Sequence, residues 1–148
     1  VYPMSYAQNL MGGAPQWVFG DQWVGAAGVD EVFAGQMHYA NGVMAHFTCA
    51  FRTPFHTYFE IVGTNGRIVI TRPFVDPQDG SVTFYPAKGA PKTITVPVKE
   101  LYLGEVEDMN TAVLDNAPNF LTLSESRSHV QTLLSLYESA RIGAPIFL

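Results

Sequence analysis

Residues 58–70 read YFEIVGTNGRIVI, so a loop with two glycines follows directly after an apolar run. A phosphate-binding cradle needs the order strand, glycines, helix, because the N-terminus of the helix receives the phosphate. Here the loop is followed by RIVITR, a β-branched run that Pro73 closes, and such a run predicts a strand. The loop also lacks the GxGxxG spacing and the lysine of a P-loop. We therefore interpret Gly63–Gly66 as a hairpin turn.

A second hairpin is predicted upstream, where Asn41-Gly42 separates two alternating runs, because this dipeptide favours the type I′ turn. With a two-residue loop, position i would face position 83 − i across the ladder. One sheet face would then carry Gln36, His38, Ala45, Phe47 and Cys49, and the other Met37, Tyr39, Met44, His46 and Thr48. Neither face is cleanly polar, so we expect both to be covered.

The remaining pattern predicts a short helix over residues 1–12, ended by Gly12-Gly13, and strands at SVTFYP (81–86) and TITVPV (93–98) after a loop at 73–80. From about residue 104 the apolar period is helical, with acidic residues at the helix start. Thr122-Leu123-Ser124-Glu125 is a capping box that opens a last helix, and PIFL (145–148) is a possible edge strand. The fold class is α+β, a mostly antiparallel open sheet of about five to seven strands with helices on one face.

Composition limits the classes of function. The 148 residues suggest one domain, are 47% hydrophobic and only 14% charged, and carry a net charge of −5. So few charges indicate a surface partly hidden against another domain or subunit. No basic stripe predicts nucleic-acid binding, and no apolar run reaches the ~18 residues of a membrane span. Cys49 is the sole cysteine, which excludes an internal disulfide and favours a cytoplasmic setting.

Few side chains suggest chemistry directly. The four histidines have no HxH or HxxxH spacing, and the predicted register puts His38 and His46 on opposite faces, so no metal site is predicted. Cys49 alternates with apolar neighbours and is interpreted as a core residue. Arg52 is the sole basic residue before Ile61. It could hold a carboxylate or hydroxyl-rich ligand, or simply pair with surface acids at a strand end.

Three segments taken together are similar to a known family: VYPMSYA…LMGGAPQWV, EIVGTNGRIVITRPF, and GEVEDMNTAV…SESRSHVQTLLSLYESARIGAPI. They resemble the C-terminal domain of the Gfo/Idh/MocA oxidoreductases, over essentially the whole chain. The resemblance implies a single substrate-binding and oligomerisation domain over residues 1–148. It also implies an N-terminal Rossmann domain, preceding Val1, that binds NAD or NADP. The implied reaction is reversible hydride transfer between the nicotinamide and a carbinol carbon of a sugar, inositol or diol.

The resemblance also implies site residues. The family's aromatic or imidazole residue near the nicotinamide aligns with Tyr2, and the implied substrate contacts are Arg52, His56 and Tyr102. The implied partners are the sugar or polyol substrate, the chain's own Rossmann domain and further copies, in a homo-oligomer through the sheet, such as a dimer. This domain alone should be inactive. Two alternatives stay open: a non-catalytic binding or scaffold module with the same fold, and an unrelated α+β ligand-binding domain.

Overall fold

The computed structural model describes residues 1–74, 81–96 and 100–148, which form two compact units. The first unit comprises Val1–Thr53 and Phe120–Leu148, and the second comprises Pro54–Asn119. In chain order the elements are α1 (Tyr2–Met11), β1 (Trp17–Val24), β2 (Asp30–His38), β3 (Met44–Ala50), β4 (Tyr58–Gly63), β5 (Gly66–Thr71), β6 (Val82–Pro86), β7 (Lys92–Ile94), α2 (Leu103–Asp115), α3 (Leu123–Ile142) and β8 (Ile146–Phe147).

The first unit is an antiparallel sheet in the order β3-β2-β1-β8, with α3 packed against one face. Its helix-side face and the helices α1 and α3 share a core of fully or almost fully buried side chains. These are Met4, Ala7, Val18, Phe33, Met37, Tyr39 and Leu136. The α+β class predicted from the sequence is confirmed. The short C-terminal strand β8 pairs with β1 at the sheet edge, as PIFL predicted.

Two paired glycines let α3 approach the sheet closely. Gly20 of β1 faces Gly35 of β2 across the ladder. A Cβ atom at Gly20 would lie 2.4 Å from the carbonyl oxygen of Leu136, and one at Gly35 would lie 2.5 Å from the Phe47 ring. Real Cβ atoms do not approach other atoms so closely, so only glycine fits beneath the helix at these two positions.

Ser139 of α3 ties three parts of this unit together. The Gly20 N–H donates to Ser139 Oγ at 3.0 Å, and that hydroxyl donates to the Ala144 carbonyl at 2.6 Å. Ser139 is fully buried, and a buried hydroxyl needs such partners. One side chain thus joins β1, α3 and the turn into β8.

The predicted type I′ hairpin and its register were wrong. The β2–β3 ladder pairs Val32 with Ala50 and His38 with Met44, so partner numbers sum to 82 instead of 83. The loop has three residues, since Tyr39 N–H donates to the Val43 carbonyl at 2.9 Å, and only Gly42 has a positive φ, +80°. A three-residue loop that ends in a left-handed glycine is the next most common hairpin.

The one-residue shift changes the faces, because side chains alternate along a strand. Gln36 and His38 lie on the same face as Met44, His46 and Thr48, opposite the helices, and Met37 lies with Ala45 and Phe47 on the helix side. His38 and His46 therefore share a face, contrary to the expectation. We call the face without helices the open face. It is formed by Trp17, Phe19, Asp21 and Trp23 of β1, their partners on β2 and β3, and Phe147 of β8.

The second unit holds a separate antiparallel sheet in the order β4-β5-β6-β7. The turn at Gly63–Gly66 is confirmed, since these two glycines pair directly and Thr64-Asn65 form the loop. One face is apolar, and the other carries the Arg67–Glu60 ion pair at 2.7 Å, with the Arg67 guanidinium 4.3 Å from the centre of the Tyr85 ring. Helix α2 belongs to this unit and buries none of its residues.

The strands thus form two four-stranded sheets, where the sequence predicted one sheet of five to seven strands. Pro54 lies in the irregular segment between β3 and β4, and a proline in an extended run removes a ladder donor. The strand predicted at 93–98 ends at Ile94. Residues 75–80 of the loop predicted at 73–80, and residues 97–98 of the strand predicted at 93–98, lie outside the described residues. The described residues divide into two compact units. That residues 1–148 act as a single domain stays a prediction.

Candidate functional site

Tyr2 opens α1 and points away from the core. The helix buries Met4, Ala7 and Gln8 and leaves Tyr2 61% exposed. A helical period of 3.6 places Tyr6 one turn further along the same exposed stripe. Proline is well tolerated in a first turn because the N–H that it lacks has no intrahelical partner there, so Pro3 fixes this helix start without cost. The phenol of Tyr2 is therefore exposed at the N-terminal end of α1.

Arg52 lies just beyond β3 and is held by two neighbours. Its Nε atom is 3.3 Å from Glu31 Oε2, and its guanidinium carbon is 4.0 Å from the centre of the Trp23 ring. The Phe51 N–H donates to the Glu31 carbonyl at 2.9 Å, which fixes the chain next to Arg52. The side chain is still 52% exposed. The alternative interpretation was that Arg52 simply pairs with a surface acid, and in the structure that acid is Glu31.

His56 and Tyr102 belong to the second unit, whereas Tyr2 and Arg52 belong to the first. His56 is exposed, with its ring 5.6 Å from that of Tyr58. Tyr102 is the N-cap of α2 and is 61% exposed, with φ at +68°. A positive φ is uncommon outside glycine and costs energy, and such residues cluster at functional sites. Two of the four predicted residues therefore lie in each unit.

Sequence reasoning missed a contact between α3 and β2. The Tyr137 hydroxyl donates to Asp30 Oδ1 at 3.2 Å, and the Tyr137 ring packs edge-on against Phe33 with centres 5.2 Å apart. Burial raises the pKa of Tyr137 because it disfavours the charged phenolate, and the nearby Asp30 carboxylate raises it further because it repels that negative charge. A carboxylate at a strand start and a tyrosine in a distant amphipathic helix give no sequence signal that links them.

The histidines and the cysteine differ from expectation in their environments. His38 stacks on Trp17 with ring centres 5.0 Å apart on the open face. Among residues 1–74, 81–96 and 100–148, no three His, Cys, Asp or Glu side chains gather closely enough to hold a metal. Cys49, predicted to lie in the core, is exposed, because β3 is an edge strand of its sheet.

An open groove of about 440 Å³ runs along the outer side of α3 beside β8. Val130, Leu134 and Ile146 form its apolar floor, and Arg127 and Glu138 are its charged edges. None of the four predicted site residues lines it. In the described part of the chain, no helix combines the length and the apolar character that a bilayer crossing requires.

Comparison with known proteins agrees with this architecture. Residues 1–69 match the model of the GFO/IDH/MocA C-terminal domain. The chain is 32% identical over 122 residues to D-xylose 1-dehydrogenase (NADP(+)) 2 of Haloferax volcanii, an alignment that covers 82% of this chain and 38% of that protein. The match of residues 1–69 to this domain model confirms the family that the sequence predicted.

Solved structures share the fold. Aldose-aldose oxidoreductase from Caulobacter crescentus superimposes with a TM-score of 0.86 at 15% identity, over 99% of this chain and 45% of that one. UDP-N-acetylglucosamine 3-dehydrogenase from Acidithiobacillus ferrooxidans gives 0.80 at 14% identity, over 94% and 44%. The chain therefore spans less than half the length of these proteins.

Proposed function

We propose that this chain is the substrate-binding and oligomerisation domain of an NADP-dependent oxidoreductase that oxidises a carbinol carbon of a sugar or polyol. The observation that carries the proposal is the 32% identity to an NADP-dependent D-xylose 1-dehydrogenase over 82% of this chain. The name of that relative favours NADP over NAD. In this proposal a dinucleotide-binding domain elsewhere in the protein holds the cofactor, and this chain alone is inactive. The single cysteine is what a cytoplasmic enzyme would be expected to carry.

Tyr2 is the proposed acid/base or orienting group. Hydride loss from a carbinol carbon leaves a carbonyl only if the hydroxyl proton also departs, so a proton acceptor must lie within hydrogen-bond reach. Tyr2 is exposed at the end of a well-anchored helix, where its hydroxyl can reach a substrate outside this domain's own core. A phenol serves in this role only beside cations or donors that favour its ionised form. We expect those groups on the cofactor domain.

The test is a dehydrogenase screen of the intact protein against D-xylose, other aldoses, inositols and diols, with NADP and NAD. We expect reduced nicotinamide with at least one sugar, and faster with NADP. Replacing Tyr2 with Phe should lower kcat by about 10²-fold or more, the usual range for a positioned acid/base group. Tyr6→Phe is the matched control, since it removes the same hydroxyl one helical turn away. Equal activity of the two variants would discard the role of Tyr2.

The scaffold alternative makes a different prediction in the same screen. A protein that keeps the fold but has lost the chemistry would turn over no substrate and would bind neither dinucleotide. Tight NADP binding without turnover would instead mean that the substrate was not among those screened. Cofactor affinity, measured by quenching of tryptophan fluorescence in the intact protein, separates the two.

We further propose that the open face pairs with a second copy of this chain. The pairing involves the end of the open face away from Trp23, where Met44 and Phe147 are 74% and 78% exposed. Asp21 is the sole acidic or basic side chain of the open face apart from two histidines. Exposed apolar surface with few charges is typical of interface cores. Met44→Lys should therefore convert the intact protein to a smaller species by light scattering. Val62→Lys, at an equally exposed strand residue of the second unit (73%), should not. A monomeric wild type would refute the pairing.

A further inference from the structure

Four residues meet at one end of the first sheet and form what we call the Arg52 frame: Trp23, Gly25, Glu31 and Arg52. Trp23 and Glu31 lie near the paired ends of β1 and β2, and Gly25 and Arg52 follow β1 and β3 directly. Trp23, Gly25 and Glu31 belong to the β1–β2 hairpin, and the pairing of β3 with β2 brings Arg52 to them.

The frame fixes the guanidinium of Arg52 in two ways at once. The Glu31 carboxylate holds its Nε edge at 3.3 Å, and the Trp23 ring supports its flat face at 4.0 Å. A guanidinium held by its Nε edge and one face still has terminal N–H groups that can donate. Since the Arg52 side chain is 52% exposed and that of Glu31 is 29% exposed, both charged groups remain accessible to a ligand.

Gly25 leaves room for the Glu31 carboxylate in the position that pairs with Arg52. A Cβ atom at residue 25 would lie 1.7 Å from Glu31 Oε1 and 2.3 Å from its carboxyl carbon. The φ of Gly25 is not in the left-handed region that favours glycine. The missing side chain therefore makes room for the carboxylate instead of permitting an unusual turn.

We infer that Glu31 and Arg52 together bind two adjacent hydroxyl groups of an uncharged sugar or polyol, with Trp23 and Gly25 as positioning residues. This inference rests on the proposed function and specifies the class of its substrate. The guanidinium donates to hydroxyl oxygens, and the carboxylate accepts from a hydroxyl, so a diol satisfies both partners. Because the two charges cancel, a ligand carboxylate would gain from Arg52 but would meet the like charge of Glu31. The frame thus selects neutral substrates.

The test measures KM and kcat of the intact protein for D-xylose, and inhibition by D-glucuronate, which adds a carboxylate to the same ring. Arg52→Lys and Glu31→Gln should each raise KM for D-xylose at least tenfold, with kcat changed less than threefold. Gly25→Ala should raise it similarly, although its methyl group would touch only Glu31. Gly13→Ala is the matched control, because a Cβ atom at Gly13 meets nothing within 4 Å.

Glu31→Gln supplies a readout that a purely structural role would not move. It leaves Arg52 uncompensated, so D-glucuronate should bind several-fold more tightly relative to D-xylose than it does to the wild type. Unchanged KM values in an active enzyme, or an unchanged preference between the two sugars, would overturn the frame and leave the proposed function standing.

If the wild type turns over no substrate, titration calorimetry of the intact protein with both sugars decides the matter. Binding of D-xylose that Arg52→Lys abolishes would support the frame while the dehydrogenase proposal failed. If the wild type binds none of the sugars, inositols and diols of the screen, the frame is overturned, and the dehydrogenase proposal is then decided by whether the intact protein binds NADP.

Discussion

Replacing Gly20 with Ala would place a methyl group between β1 and α3. That methyl carbon would lie 2.4 Å from the Leu136 carbonyl oxygen and 2.9 Å from Cζ of Phe33. Ordinary contacts of this kind begin near 3.4 Å, so the strand and the helix would have to separate by about an ångström at this point. The neighbours are a backbone carbonyl and a buried aromatic ring, and neither can swing aside as the end of a flexible side chain could.

The expected loss of stability follows from three terms. Overpacking a close-packed core costs about 1–3 kcal/mol, and this site belongs at the upper end. The separation would also stretch the 3.0 Å hydrogen bond from Gly20 N–H to Ser139 Oγ, worth roughly 0.5–1.5 kcal/mol. Alanine restricts the unfolded chain and returns about 0.4–1 kcal/mol. We expect a net loss of about 3 kcal/mol in the free energy of unfolding.

Urea unfolding followed by circular dichroism measures this loss, with Gly13→Ala as the control for alanine itself. A Cβ atom at Gly13 has open space and an unremarkable φ, so the control should be neutral or slightly stabilising. If Gly20→Ala lay within about 0.5 kcal/mol of Gly13→Ala, an ordinary surface effect, the close approach of helix and sheet would be refuted.

Three further predictions concern stability. Ser139→Ala should cost about 2–4 kcal/mol in urea unfolding, because it leaves the Gly20 N–H and the Ala144 carbonyl without their buried partner; a loss below that of an exposed serine would contradict the tie. Burial raises the pKa of Tyr39 to about 12, so stability that is complete below about pH 10 should fall as the pH rises from there towards 12, and Tyr39→Phe should flatten that dependence in unfolding measured across the range. The hydroxyl and N–H of Thr122 lower the pKa of Glu125, so the capping box should stabilise α3 above about pH 4.3 and be lost as the pH falls further. Thr122→Ala should reduce stability at neutral pH by about 1 kcal/mol and reduce that acid-side decline, because only the backbone N–H of residue 122 would still donate to Glu125.

Features decided by local chemistry were predictable from the sequence. The capping box at Thr122 and Glu125 closed as expected. Gly63 and Gly66 formed the expected turn because β-branched runs flank them. The Asn41-Gly42 hairpin was located correctly, but its register was not, because an asparagine–glycine pair serves two-residue and three-residue loops alike. The Asn41 side chain accepts from Val43 N–H at 3.2 Å, which supports the longer loop and is invisible in the residue order.

The candidate site was less predictable because its contacts join distant segments. Arg52 stood out as an isolated base, yet its partners Trp23 and Glu31 come from strands that only the ladder brings together. The pair formed by Tyr137 and Asp30 spans 107 positions.

The tie at Ser139 has a consequence for how the end of the chain can be observed. Strand β8 is too short to hold itself in place, and its attachment depends on the turn that Ser139 anchors and on the Leu148 N–H bonded to Gln16 at 3.0 Å. A loosening of α3 over the paired glycines would break the hydrogen bonds of Ser139 and so free the turn that leads into this strand. The hydrogen-exchange rate of the Leu148 amide therefore reports how closely α3 packs against the sheet. It should respond even to substitutions in β1, more than a hundred residues away in the sequence.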